Sequence, residues 1–212
     1  LSARIPPTSP SLAIQSESVL LDLGPGWKYF KGEREPSPGD DGAPTLAWTT
    51  NGFDDHAWLD GTTGIGYGDG DDATVLSDMV DNYVSVYLRR PVSIELPDDG
   101  DTVQLEIAYD DGYVAYLNGV EIGRSANVKE AGNPPPFDFI VEQNHEVNQG
   151  ADTIDLGKFR RHIKPPPALN TLALQVHNGA LDSSDFSILP RILKRRYKPG
   201  SIERTDPLGV WV

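Results

Sequence analysis

The dipeptide Asn118-Gly119 stands between two strand-like runs, Tyr113 to Leu117 and Val120 to Arg124. Asn-Gly is the preferred pair for a type I′ turn because both central positions need positive φ, so the pair predicts a tight antiparallel hairpin. A second turn signal, Asp110-Asp111-Gly112, directly precedes it. Three consecutive strands joined by short connections are therefore expected, as in a meander or part of a Greek key.

Other runs carry the same period. Val103, Leu105 and Ile107 alternate with Gln104 and Glu106, the pattern of a strand with one face on a core. Leu172, Leu174 and Val176 alternate with Thr171, Ala173 and Gln175, and Val84, Val86 and Leu88 with Ser85 and Tyr87. A further apolar run spans Val19 to Leu23. The chain holds 21 glycines and 18 prolines and no long stretch of helical apolar period, which points to many short strands joined by turns. With 212 residues and 38% hydrophobic content it can bury one sizeable core, so one all-β sandwich is expected over residues 18–193.

The flanks read differently. Pro6, Pro7 and Pro10 among serine and threonine make residues 1–17 an extended linker. Lys194, Arg195, Arg196 and Lys198 open a basic stretch, so residues 194–212 are read as a tail, either a strap on the sandwich or a linker to a further domain. The segment from Asn127 to Pro167 holds two triple-proline runs and reads as a long excursion that crosses between sheets or decorates a binding face.

A formal net charge of -14 would repel a phosphate backbone, which argues against nucleic acid and anionic membrane as partners. No apolar run approaches the roughly 20 residues that span a bilayer. Without cysteine, neither a disulfide framework nor a thiolate metal site nor a cysteine nucleophile is available. The acidity has two readings, plain solubility and carboxylates clustered to hold a hard cation such as calcium. Asp69, Gly70, Asp71 and Asp72 form the best oxygen-ligand loop, because glycine between acids lets several oxygens converge. It is not an EF-hand, since the later positions of that loop do not follow.

One ordered series of residues ties these features together. It runs through Trp27-Lys28-Tyr29, Trp48, Phe53-Asp54-Asp55 with Trp58, Gly64 to Asp71, Tyr87-Leu88-Arg89, the Asp-Asp-Gly hairpin, Glu121-Ile122 with Arg124, and Leu172 to Asn178 followed by Ser183-Ser184-Asp185. The series resembles the galactose-binding-like accessory domain of secreted bacterial proteins and hydrolases, from about Leu20 to Ile192. That resemblance implies a jelly-roll sandwich with long loops and little helix, often with a structural calcium and often used for carbohydrate attachment. It implies an extracellular, non-catalytic, monomeric module whose partners are a glycan and the neighbouring domains of its parent protein.

Sugar-binding modules commonly stack aromatic rings on the apolar faces of sugars while carboxylates and amides bond the hydroxyls. On the resemblance, the ligand candidates are Trp58, Tyr67, Asp111, Tyr113, Arg124, His177, Asn178 and Asp185, and the calcium candidates are Asp69, Asp71 and Asp72. Core or loop-anchoring roles compete with ligand roles for Trp48 and Trp58, since these large side chains are mostly buried. Asp54 and Asp55 read as turn caps, and at least one of Asp110 and Asp111 as a structural ligand of its own turn. His177, Ser184 and Asp185 supply the residue types of a nucleophilic triad, yet no Gly-x-Ser-x-Gly elbow is present and all three fall in one short stretch. A purely structural module and, more remotely, a stand-alone hydrolase remain the alternatives.

Overall fold

The computed structural model describes residues 13–70, 72–97, 100–128 and 132–198. Its strands are Ile14–Leu21 (β1), Pro25–Lys31 (β2), Leu59–Thr62 (β3), Ile65–Tyr67 (β4), Thr74–Val75 (β5), Ser85–Val92 (β6), Asp101–Asp110 (β7), Gly112–Leu117 (β8), Val120–Arg124 (β9), Asp152–Asp155 (β10), Asn170–His177 (β11) and Phe186–Tyr197 (β12). Short 3-10 turns are the only helical pieces among the described residues. None of them is long and apolar enough to cross a membrane.

The strands form an all-β sandwich. One sheet runs β10-β7-β12-β4-β5, and β1 shares the free edge of β12 with β4. The other runs β3-β2-β6-β11-β8-β9. Between them lies the main core, where Leu105, Ile107 and Ile188 meet Trp27, Leu88, Leu174 and Val176, all within 1% of complete burial or better. Burial of this apolar surface, at roughly 25 cal/mol per Å², is what drives the two sheets together.

β7 shows why its alternation was legible. Val103, Leu105 and Ile107 are buried while Thr102, Gln104 and Glu106 reach solvent, so the first sheet has one wet face. β8 and β11 are instead buried at every residue. Their outward side chains, Val114, Tyr116 and Ala173, pack with Trp48, Trp58, Val128 and Val141 in a second apolar cluster. Loops from residues 46–58 and 134–141 therefore cover the back of the second sheet. The buried Arg89 fastens the first of these loops: its guanidinium donates to the carbonyls of Trp48 and Thr50 and pairs with Asp55 at 2.8 Å. Asp54 accepts from the His56 amide at 3.1 Å, the turn cap expected of it.

The Asn118-Gly119 hairpin is as the sequence predicts. Both residues have positive φ, 51° and 88°, and Leu117 faces Val120 across the turn. The Asp110-Asp111-Gly112 corner departs from expectation. β7 and β8 do not pair with each other: β7 lies in one sheet and β8 in the other, so the corner carries the chain across the sandwich. β8 finds its partners in β11 and β9. A short connection thus marked a crossing where a meander was one of the readings.

Strand pairing also runs past both expected boundaries of the sandwich. Ile14 pairs with Tyr197 and Glu17 with Arg195, so residues 14–17 lie in β1 and residues 194–197 in β12, the strap alternative for the start of the tail. The charges explain the pairing, since Arg195 meets Glu17 at 2.7 Å and Glu106 at 2.5 Å across neighbouring strands. The remaining flanks, residues 1–12 and 199–212, lie outside the described residues.

Candidate functional site

At the end of the sandwich where β7 leaves one sheet for β8 in the other, two adjacent aspartates take different roles. Asp111 is 1% exposed, and its carboxylate accepts backbone amides from His145 at 2.9 Å and from Gly179 at 2.6 Å. Those bonds draw the 144–146 loop and the end of β11 onto the corner. Charged acceptors with two amide donors are well satisfied, so Asp111 is a structural residue.

Asp110 is 4% exposed and has no such partners. The groups that act on its carboxyl are all acidic, namely Asp111, Asp185 and Glu146. Burial and this crowding push its pKa up to about 8. One carboxylate oxygen each from Asp110, Glu146 and Asp185 lies within 4.8 Å of the others. Three separate segments supply them: the end of β7, the loop before β10 and the loop before β12.

Asp185 is held from its backbone. The Tyr67 hydroxyl donates to the Ser183 carbonyl at 2.9 Å, and the Asn178 amide donates to Tyr67 at 3.1 Å and to the Asp185 carbonyl at 3.3 Å. Tyr67, Asp111, Asn178 and Asp185 are therefore brought together, as expected of one site. Tyr67 and Asn178 are buried, however, and act as braces with no open face for a ligand.

The other ligand candidates lie elsewhere. Trp58 packs in the cluster behind the second sheet with ring centroids 6.1 Å from Trp48 and 5.8 Å from Phe53. Tyr113 is 1% exposed in the main core, its hydroxyl reaching Asp152 at 3.1 Å. Arg124 pairs with Glu121 through two bonds of 2.7 Å, which straps β9 to itself. His177 is completely buried on the back face of β11, with Nδ1 2.9 Å from the Phe139 carbonyl. Ser184 donates to Asp185 at 2.8 Å rather than to a histidine, and His177 Nε2 has no hydrogen-bond partner among the described residues, so the triad is not assembled.

Among the described residues, the acidic loop after Tyr67 contributes no oxygen to a converging group. Asp69 is exposed, and Asp72 turns inward, where its Oδ1 accepts from Ser187 at 3.4 Å and its carboxyl lies against Gly66. Asp71 lies outside the described residues. Of this acidic group, sequence reasoning names Asp185 as a sugar ligand and Asp110 as a turn residue, and it passes over Glu146. No local motif marks it, since its place depends on the bond between the neighbouring His145 amide and Asp111.

An all-β sandwich with a carboxylate cluster at one end is the class that fold and site define. No family model matches the chain, and no curated protein matches it. Among solved structures, Bacteroides uniformis beta-glucuronidase 2 is similar at a TM-score of 0.50 and 15% identity, over 85% of this chain and 18% of that one. An uncultured Clostridium beta-glucuronidase is similar over 87% of this chain and 30% of its own, with TM-score 0.49 and 14% identity. A putative beta-galactosidase from Bacteroides fragilis gives 0.48 and 14%, over 84% and 23%. The chain thus spans less than a third of each of these proteins, and the likeness is one of fold.

Proposed function

We propose that this chain is a non-catalytic accessory module of the galactose-binding-like type, part of a larger secreted protein that acts on carbohydrate, and that it braces neighbouring domains. The observation that carries this reading is where the aromatic rings lie. Trp58, Tyr67 and Tyr113 are all at most 7% exposed, and no aromatic side chain is among the exposed large hydrophobics of the described residues. A stacking platform for sugar needs open rings, whereas rings packed in two clusters serve the fold.

Exposed apolar side chains sit instead on and beside β1: Ile14, Val19, Leu20 and Leu23 are 39–46% exposed. An edge strand with apolar side chains in water invites cover by another chain segment or domain. The similar solved structures, in which such a fold occupies a minor share of a large hydrolase, support the setting. A structural calcium ion belongs to the same reading, supported by the converging carboxylates.

Glycan attachment is the second reading, favoured by a cleft of about 180 Å³ between Tyr29, Phe30, Arg34, Trp58 and Leu59. Affinity electrophoresis on a panel of soluble polysaccharides separates the two. Unretarded migration in every gel supports the bracing module, and retardation abolished by Phe30→Ala places a glycan in the cleft. Release of reducing sugar by the purified chain would sink both readings, since each is non-catalytic.

A further inference from the structure

We propose that the groove between residues 94–97 and 160–166, with the cations Lys158, Arg161 and Lys164 beside it, is a docking surface for an extended acidic segment of a partner polypeptide that carries aliphatic side chains. None of the lining residues belongs to β1, so the proposal goes beyond the bracing reading and does not rest on it.

The charge pattern is the first observation. The chain has 32 acidic residues, yet none occurs from Leu156 to Leu181, and Lys158, Arg160, Arg161 and Lys164 all fall inside that run. All four are exposed. Elsewhere Lys28, Arg89, Arg191, Lys194 and Arg195 each meet a carboxylate within 3.5 Å. Lys158, Arg161 and Lys164 form no ion pair among the described residues. A short ligand feels charge only over a Debye length, about 8 Å at physiological salt, so it meets this local excess of cations and not the net charge of the whole.

The groove is the second observation. It has a volume of about 420 Å³ and is lined by Ile94, Leu96, Ile163, Pro165 and Pro166, with Glu95 and Arg160 as its charged members. Its walls are fixed without a ligand. Arg160 donates to the Pro97 carbonyl at 2.8 Å and ties one wall to the other. The completely buried Asn170 accepts from the Lys164 amide at 2.8 Å and donates to the Lys164 carbonyl at 3.0 Å, while Asn118 donates to the His162 carbonyl at 2.7 Å. A preformed groove spares the complex the entropy of ordering it.

The two features together select the occupant. Walls of isoleucine, leucine and proline suit aliphatic side chains, whereas a sugar ring needs an open aromatic face, and no aromatic ring lines this groove among the described residues. Arg161 donates through Nε to His162 Nε2 at 2.8 Å, which leaves the outer nitrogens of its guanidinium for a carboxylate. A long polyanion such as nucleic acid would run on into the acidic remainder of the surface and be repelled there. Glu95, on the wall that follows β6, turns the carboxylates of a bound segment toward residues 158–164. An extended peptide with leucines in the groove and glutamates on the cations satisfies both features.

The test is fluorescence anisotropy with the full chain and a labelled twelve-residue peptide of repeated Glu-Glu-Leu. Binding should saturate, and raising salt from about 0.05 M to 0.5 M should weaken it at least fivefold. Replacing the leucines of the peptide by serine should weaken it at least tenfold, since the groove then goes unfilled. The triple variant Lys158→Glu, Arg161→Glu, Lys164→Glu should also weaken it at least tenfold, with an unchanged urea midpoint because the three side chains are exposed. Anisotropy that stays flat up to about 1 mM protein would overturn the proposal. Parent-like affinity in the triple variant would overturn the location. Equally tight binding of the serine peptide or of dextran sulfate would overturn the polypeptide partner and leave a general anion surface.

Discussion

Taking the protein from about pH 7.5 to pH 5 should cost the fold about 2 kcal/mol through one side chain, His177. The ring is completely buried, its Nδ1 lies 2.9 Å from the Phe139 carbonyl, and its edge meets the Phe139 ring with centroids 5.4 Å apart. A neutral ring with its proton on Nδ1 donates to that carbonyl and leaves Nε2 without a partner among the described residues. A second proton on Nε2 would have no acceptor. Burial accordingly pushes the pKa from 6.5 down to about 4, with the Phe139 carbonyl pulling it back in part.

The sign follows from proton counting. Above the unfolded value both states are neutral, and His177 adds no pH dependence. Between the unfolded and folded values the unfolded chain takes up a proton that the folded one refuses, so stability falls as pH falls. The loss is complete below the folded pKa at about 3 kcal/mol, and about 2 kcal/mol of it has appeared at pH 5. Urea unfolding at the two pH values measures it, in the parent and in His177→Asn and His177→Phe. Asparagine can offer an amide donor close to where Nδ1–H stands, and phenylalanine keeps the ring volume. Both variants lose stability at each pH, yet the difference between the two pH values should shrink by about 2 kcal/mol. The contribution of every other group is common to all three proteins and cancels in that comparison. A variant with the parent's pH difference to within about 0.5 kcal/mol would show that His177 is not held neutral, and the account of the sealed back face would fail with it.

Three further substitutions probe the packing. Trp58→Ala should cost about 3–5 kcal/mol in urea unfolding, as for a core aromatic, whereas a ring serving only as a sugar platform would change stability by less than about 0.5 kcal/mol. Asn118→Ala should cost about 2–3 kcal/mol, because its side chain donates to His162 and Asn170 at 2.7 Å and accepts from Thr171 at 2.8 Å; equal losses in Asn118→Ala and Gly119→Ala would mean that only the turn geometry matters. Gly66→Ala would drive a methyl into the Phe186 carbonyl in the β4–β12 pair and should cost about 3 kcal/mol or more, while Gly70→Ala, with φ 83° and open space around it, should cost about 1 kcal/mol. Similar midpoints for the two alanine variants would refute the close approach of β4 to β12.

Local chemistry made part of this fold readable. Asn118-Gly119 fixes its turn through backbone sterics alone, and β7 alternates because one side of its sheet is in water. β8 and β11 hid their surroundings, since the side chains that cover their backs come from loops far away in the chain. That cover is also why Trp58 and His177 looked like ligand residues. A conspicuous aromatic or imidazole in a loop-rich β protein reads as a binding group until the loop that buries it is known.

The carboxylate group was half legible, and the reason lies in the path of the chain. The sequence allows either aspartate, or both, to bond the turn's own amides. Which one turns toward the backbone depends on where β8 goes next. Because the chain crosses to the second sheet, Asp111 meets the amides of His145 and Gly179, and Asp110 is left facing Glu146 and Asp185. Had β8 paired with β7 as a meander, β8 would not lie against β11 in the other sheet, and Asp111 would not be placed to take the amide that follows β11. The gathering of the three carboxylates is thus a consequence of the crossing.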